Sequence, residues 1–140
     1  MDPNKAVDFV NAKWRGLNHD RRALPLPLRV VHLINWITFE VVQGGVMGWL
    51  INMGEYGLDT VNAFEVVGAH QCAAIVREIL SFFPGGKPAT EDQERVRQIT
   101  AVEDVAEPRW SELGDRLLAW PDDINALLQK FINEHEADFT

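Results

Sequence analysis

Two adjacent glycines, Gly44 and Gly45, interrupt the most apolar part of the sequence, within the stretch EVVQGGVMGWLINMG. Glycine adopts left-handed backbone angles without steric cost and often ends helices. The stretch therefore predicts that one helix ends at Gly44 with left-handed angles, and that the chain turns at Gly45 into a second helix. Gly48 is expected to let another helix approach closely, and Gly54 to follow the end of the second helix. A phosphate-binding loop would need a lysine and a hydroxyl residue after the glycines, and neither follows here.

The rest of the chain also carries helix signals. Asp2-Pro3 fits a helix start, and apolar residues recur at helical spacing between Ile124 and Ile132. No Asn-Gly or Asp-Gly hairpin signal is present. The predicted fold class is all-α, a single compact domain of about six or seven helices with short connections. Within this domain, residues 1–27 are expected to form an N-terminal helix and a proline-rich connector, and residues 28–140 a helical core. Helix boundaries are predicted at Gly16, Pro27, Gly68, Thr90, Pro108 and Asp122.

The net charge of −8 is distributed unevenly along the chain. Residues 1–36 hold three acids and six bases, whereas residues 91–140 hold thirteen acids and five bases. An acidic surface repels nucleic acid and attracts basic partners through fields that salt screens. The charge of the last third of the chain therefore favours a basic protein as partner over nucleic acid.

Nothing in the sequence predicts secretion, a membrane span or a disulfide. The N-terminus has no apolar signal segment, and the run from Val30 to Val42 is too short and too polar to cross a bilayer. The single cysteine, Cys72, lies among small and apolar residues and is expected to be buried. These features predict a cytoplasmic protein that does not associate with membranes.

The residues that could carry catalysis or bind a metal form no recognisable motif. The four histidines match no zinc spacing, and no serine lies in a nucleophile motif. His32 and His70 lie in apolar helices and are expected to be hydrogen-bonded core residues. No catalytic residue, metal ion or cofactor is therefore predicted. An enzyme is kept as a minor hypothesis, which a deep pocket holding either histidine beside Glu40 would favour.

The glycine pair belongs to a longer pattern that resembles the DNA-mimic protein 19 family. The matching positions cover about residues 30–139, and they are Glu40, Val41, Gly44, Gly45, Trp49, Asn52, Val67-Gly68-Ala69, Phe83-Pro84, His135 and Phe139. The chain departs from the pattern at Gln43, Val46, Gly48 and Leu50, where polar or aromatic side chains of the family are replaced. The resemblance implies an all-helical fold, no enzymatic activity, and a structural role for Glu40, Gly44, Gly45, Trp49, Asn52, Gly68 and Ala69.

The resemblance and the charge together lead to the main hypothesis, an acidic interaction domain and, more specifically, a DNA mimic. The family's namesake presents carboxylates in place of DNA phosphates and occupies a DNA-binding protein. Here the expected partner-binding acids are Glu91, Asp92, Glu103, Asp104, Glu107, Glu112, Asp115, Asp122 and Asp123. Such a protein binds no nucleic acid itself and acts as a monomer or a homodimer. The alternative is an immunity- or antitoxin-like inhibitor that binds one partner by shape, through exposed aromatic residues such as Trp110 or Trp120.

Overall fold

The computed structural model describes all 140 residues and contains helices but no strands, which confirms the all-α class. The α-helices are α1 (Pro3–Gly16), α2 (Leu26–Met53), α3 (Gly57–Val67), α4 (His70–Leu80), α5 (Asp92–Leu118) and α6 (Ile124–Glu134). Short 3₁₀ helices lie at Arg21–Ala23, Gly54–Tyr56, Pro84–Gly86 and Glu136–Phe139. Each helix from α1 to α4 packs against the helix that follows it in the sequence, whereas α6 packs on α1 and α3.

The α2 element consists of two helical segments that meet at Gly45, because this glycine has non-helical backbone angles. The turn predicted from the glycine pair is therefore present. By contrast, the helix start predicted at Pro108 is wrong, since α5 continues through it from Asp92 to Leu118. Proline removes one backbone hydrogen bond from a helix, but the buried side chains of Ala106 and Trp110 on either side hold α5 against the core.

Side-chain caps begin three of the helices, α1, α5 and α6. Glu91 caps α5 in place of Thr90, and its carboxylate accepts a hydrogen bond from the backbone N–H of the third helical residue. Asp123 caps α6 in place of Asp122. Gly68 ends α3 as predicted, with a left-handed φ of 87°. The errors at the starts of α5 and α6 are therefore one residue each, because neighbouring acidic or hydroxyl side chains compete for the same role.

The core is one continuous cluster of buried side chains around α2. The second half of α2 packs on α5, α2 also contacts α1 and α3, and α6 contacts α1 and α3. Trp49, Phe64 and Trp110 are among the largest side chains that are fully buried in it. Cys72 is buried as expected, and burial raises the pKa of its thiol to about 12. A thiol in this state is a poor nucleophile at neutral pH.

The apolar stretch Leu26–Val67 is longer than the run that the sequence pattern marked. It contains a helix that is long and apolar enough to cross a membrane on length and composition alone, with a mean hydropathy of 1.2. Of the 18-residue window that passes this test, 44% is buried inside the protein, where α2 forms the centre of the core. The central helix of a soluble protein passes the same test, so the stretch is weak evidence for a membrane span.

Candidate functional site

The turn in α2 depends on one of its two glycines. Gly45 has φ 70° and ψ −175°, a combination that side chains with a Cβ rarely adopt. Gly44 keeps helical angles, and a Cβ added there would meet no atom within 4 Å. The left-handed φ therefore falls on Gly45 and not on Gly44, where the sequence pattern placed it.

A side-chain hydrogen bond holds the two segments of α2 together across the turn. The amide nitrogen Nδ2 of Asn52 donates to the carboxylate Oε2 of Glu40 at 3.0 Å. In a straight helix, residues twelve apart would lie about 18 Å from each other, too far for this contact. The bond is therefore possible only because the chain turns at Gly45, and it joins two of the residues to which the resemblance assigns a structural role.

The turn packs on the second half of α5 through a different glycine from the one predicted. A Cβ added at Gly114 of α5 would lie 3.1 Å from Cγ2 of Val46 and 3.5 Å from Cγ1 of Val41. A Cβ at Gly48 would lie 3.9 Å from the carbonyl oxygen of Glu40, which is an ordinary contact. The close helix approach expected at Gly48 therefore belongs to Gly114, which fixes the turn against α5.

A groove of about 120 Å³ runs between the turn and α5. Both turn glycines line it on one side, and Glu107, Ser111 and Asp115 line it on the other. The family pattern and two of the predicted partner-binding acids thus meet at one surface. Sequence reasoning treated them separately, because no local pattern tells which helix packs beside the turn.

Five of the nine predicted acids are engaged in contacts within the protein. Glu91 and Asp123 cap helices, and Asp122 accepts a hydrogen bond from the backbone N–H of Cys72 at 2.8 Å. Asp92 pairs with Arg95 at 2.7 Å, and Glu112 pairs with Arg109 at 2.8 Å. These acids stabilise the fold, and their charge is partly balanced within the molecule.

The remaining four acids, Glu103, Asp104, Glu107 and Asp115, form no ion pair and no hydrogen bond, and we call them the central acidic strip. All four lie on α5, with Glu103 half-buried and the other three exposed. At about 100° per residue they occupy an arc of roughly 120° around the helix, and they extend about 18 Å along its axis. The structure thus brings together four unbalanced carboxylates on one side of one helix.

The residue that sequence reasoning missed is Arg95, whose side chain is only 1% exposed. Its guanidinium donates to the carbonyl oxygens of Leu50 at 2.8 Å and Ile51 at 2.7 Å, near the end of α2, and to that of Ala89 at 2.9 Å. A buried arginine is tolerated only where its N–H groups find such partners. The available signal was its position one turn before Ile99 on the buried face of α5.

The structure places the two histidines of the apolar helices in different environments. His70 is exposed rather than in the core, and its Nδ1 lies 2.5 Å from Oε2 of Glu65. This contact is the main reason why the pKa of the Glu65 carboxyl is lowered. His32 is buried as expected but has no hydrogen-bond partner at either ring nitrogen, and burial lowers its pKa to about 3. No group of three His, Cys, Asp or Glu side chains is close enough to hold a metal ion.

The aromatic anchors of the inhibitor alternative are largely enclosed. Trp110 is 0% exposed, and its indole N–H donates to the carbonyl oxygen of Ile79 at 3.1 Å. Trp120 is half-buried in the connection between α5 and α6. Trp110 therefore belongs to the core and is not the exposed anchor that the inhibitor alternative requires.

Comparison with protein families supports the resemblance seen in the sequence. The family described as DMP19-like protein matches residues 22–135, which is most of the chain and includes the turn, the groove and the central acidic strip. Comparisons with curated proteins and with solved structures found no match.

Proposed function

The chain belongs to the DMP19-like protein family, and from this premise we propose that it mimics DNA toward a basic DNA-binding protein. The central acidic strip is the observation that carries the proposal, because its carboxylates are free to meet a cationic surface. A DNA-binding groove gains much of its affinity from phosphate charge and is indifferent to the chemical group that carries it. The partner is therefore a protein whose lysines and arginines normally contact phosphates.

The charge density of the strip supports this role. One strand of DNA carries a phosphate about every 3.4 Å along the helix axis, or about five over the 18 Å that the strip spans. The strip presents four carboxylates over the same length. Its charge is thus close to that of a single strand, and the engaged acids at both ends of α5 extend the negative field.

The basic residues of α5 do little to cancel the strip. Arg109 lies between Glu78 and Glu112 and is paired with both, so this cluster is itself negative. Arg97 is paired with Glu94. Arg116 follows Asp115 directly, but neighbouring helical residues point about 100° apart. The negative side of α5 is therefore continuous around the strip.

The test is salt-dependent binding to a basic partner, first captured from the source cell's lysate and then purified. The variant Glu103→Gln, Asp104→Asn, Glu107→Gln, Asp115→Asn removes the four charges without changing side-chain volume. We expect the slope of log affinity against log salt to become shallower by up to about four, and the affinity to fall at least about tenfold. Duplex DNA should compete with the unmodified protein for the same partner.

A matched control neutralises four exposed acids elsewhere, with Asp8→Asn, Glu134→Gln, Glu136→Gln and Asp138→Asn. This control changes the net charge equally but leaves α5 intact, so it should retain most of the affinity. Equal losses in the two variants, or a partner that binds the protein and DNA at the same time, would show that the strip does not replace DNA. The proposal involves no cofactor, no direct nucleic-acid binding and no membrane, and it concerns a cytoplasmic monomer or homodimer.

A further inference from the structure

The first 36 residues carry more bases than acids. They supply most of an unusual cluster of aromatic rings around Arg21. The guanidinium carbon of Arg21 lies 4.5 Å from the ring centre of Trp14, 5.3 Å from that of Trp36 and 5.8 Å from that of Tyr56. The His32 ring lies 4.9 Å from Trp14 and 5.9 Å from Trp36. We call these five residues the arginine–aromatic cluster.

The polar groups of this cluster lack partners. The side chain of Arg21 makes no hydrogen bond and no ion pair, and its Nε is buried. The indole nitrogens of Trp14 and Trp36 and both ring nitrogens of His32 are also buried without a partner. Most buried polar groups in proteins are satisfied, so this concentration of unused groups requires an explanation.

Other arginines of the chain show what an ordinary structural role looks like. Arg29 donates to two backbone carbonyls, and Arg95 donates to several carbonyls and to Asp92. Arg21 instead stacks between rings, where partial burial lowers the pKa of its guanidinium. Glu40 and Glu55 act on it only from beyond ion-pair distance. The charge of Arg21 is therefore balanced by no carboxylate in contact with it, and it raises the electrostatic potential beside Trp14 and Trp36.

An open cavity of about 290 Å³ lies against the same two tryptophans. Trp14 and Trp36 form its aromatic wall, and Asn11, Arg15 and His19 complete it. Neither Arg15 nor His19 uses its side chain in a hydrogen bond or an ion pair, and no carboxylate lines the cavity. Apart from the two indole rings, the lining consists of one guanidinium, one imidazole and one amide, so the only fixed charge at the cavity is positive and favours a negative ligand.

We propose that this cavity binds a small planar organic anion. The flat part of the ligand packs against Trp14 and Trp36, and its carboxylate or phosphate accepts hydrogen bonds from Arg15 at the rim. Arg21, in contact with the same two rings, adds positive potential from inside. The size of the cavity suits a single-ring ligand, since it lies near the lower limit of small-molecule sites. This site is separate from the central acidic strip, so the inference does not depend on the proposed function.

The test follows the indole N–H signals in proton–nitrogen correlation spectra while ligand is added. Benzoate and uridine 5′-monophosphate are the two probes, and benzamide and uridine are their uncharged counterparts. We expect the signals of Trp14 and Trp36 to shift with at least one anion and with neither uncharged compound. Those of Trp49 and Trp110 should stay in place, because both side chains are buried in the core. The comparison of each anion with its own uncharged counterpart shows whether a carboxylate, a phosphate or both are bound.

Two variants on α1 distinguish binding of the anion at a specific site from its general electrostatic attraction to the basic helix. Arg15→Gln should weaken binding at least about tenfold, because it removes a charge-assisted hydrogen bond. Lys13→Gln removes the same charge from an exposed position on the same helix that does not line the cavity, and should change the affinity by less than about twofold. The proposal is overturned if neither anion shifts the Trp14 and Trp36 signals at about 10 mM. It is equally overturned if the two variants weaken binding to the same extent.

Discussion

Gly44 and Gly45 are neighbours, but only one of them depends on being glycine. Gly45→Ala is expected to lower the free energy of unfolding by about 1–3 kcal/mol, because alanine is strained at φ 70° and ψ −175°. Gly44→Ala places a methyl group in open space on a helical residue, and should raise that free energy by up to about 1 kcal/mol. Urea unfolding of both variants measures the difference. Two losses of similar size would mean that Gly44 has a structural requirement of its own.

His32 should make the stability of the fold depend on pH in a defined window. Its pKa is about 3 in the folded protein and near 6.5 in the unfolded chain, so only the unfolded state gains a proton as the pH falls below 6.5. Stability contributed by the neutral ring is thus present above that pH and declines toward pH 3. Between pH 7.5 and 5 the loss is on the order of 2 kcal/mol.

Urea unfolding of His32→Leu across the same pH range isolates this effect. The variant has no imidazole to protonate, so its free energy of unfolding should change much less between pH 7.5 and 5. If the unmodified protein and the variant lose stability in parallel, then other groups are responsible for the pH dependence. The sequence could show that His32 lies in an apolar helix, but not that its nitrogens would be left without partners. That outcome depends on Trp36, in the same helix as His32, and on Trp14, which folding brings to it from α1.

At the scale of elements, α5 carries a proline in its interior. Pro108 cannot donate a backbone hydrogen bond to the carbonyl of Asp104, one turn earlier, and proline in this position normally costs stability. Pro108→Ala should therefore raise the free energy of unfolding by about 1–3 kcal/mol. Thermal unfolding measures this, and a loss of stability would show that the shape given by the proline is needed for packing on α2.

Helix ends could be predicted where the backbone itself gives the signal, and not where packing decides. The turn at Gly45 and the end of α3 at Gly68 follow from glycine's freedom to adopt positive φ, a property of the residue alone. Pro108 has an equally strong local preference, yet α5 continues through it. The difference lies in Ala106 and Trp110, whose burial in the core outweighs the preference of one residue.

At the scale of the whole molecule, the central acidic strip lowers the free energy of unfolding by an amount that depends on ionic strength. Its four unpaired carboxylates repel one another and the other acids of a chain with a net charge of −8. The strip variant described above should therefore be more stable than the unmodified protein by about 1 kcal/mol at low salt. This advantage should nearly disappear at about 1 M salt, where screening acts over only a few ångströms.

Urea unfolding at low and high salt measures this prediction, with the control variant at Asp8, Glu134, Glu136 and Asp138 for comparison. The control variant should gain less stability than the strip variant, because its acids do not lie along one helix. A strip variant that is less stable than the unmodified protein would show that these carboxylates have structural partners. A gain in stability joined to a loss of binding is the pattern expected of residues kept for function.

The candidate site itself could be predicted only in part. The excess of acids between residues 91 and 140 is visible in the sequence, and so is the family pattern around Gly45. Which acids remain free depends on neighbours brought by folding, as with Asp122, whose carboxylate binds the backbone of Cys72, fifty residues away. The groove between the turn and Glu107 likewise exists only because Gly114 lets α2 approach α5.

The buried side chain of Arg95 also has a consequence for the order of events during synthesis. Its guanidinium donates hydrogen bonds to the carbonyls of Leu50 and Ile51, which are 45 and 44 residues earlier in the chain, and only the first of these also accepts one from the backbone N–H of Gly54. Chains emerge from the ribosome N-terminus first, and their early parts begin to fold before the later parts exist. The nascent N-terminal half must therefore wait, with this end of its central helix open to water or to a chaperone, until residue 95 has left the exit tunnel.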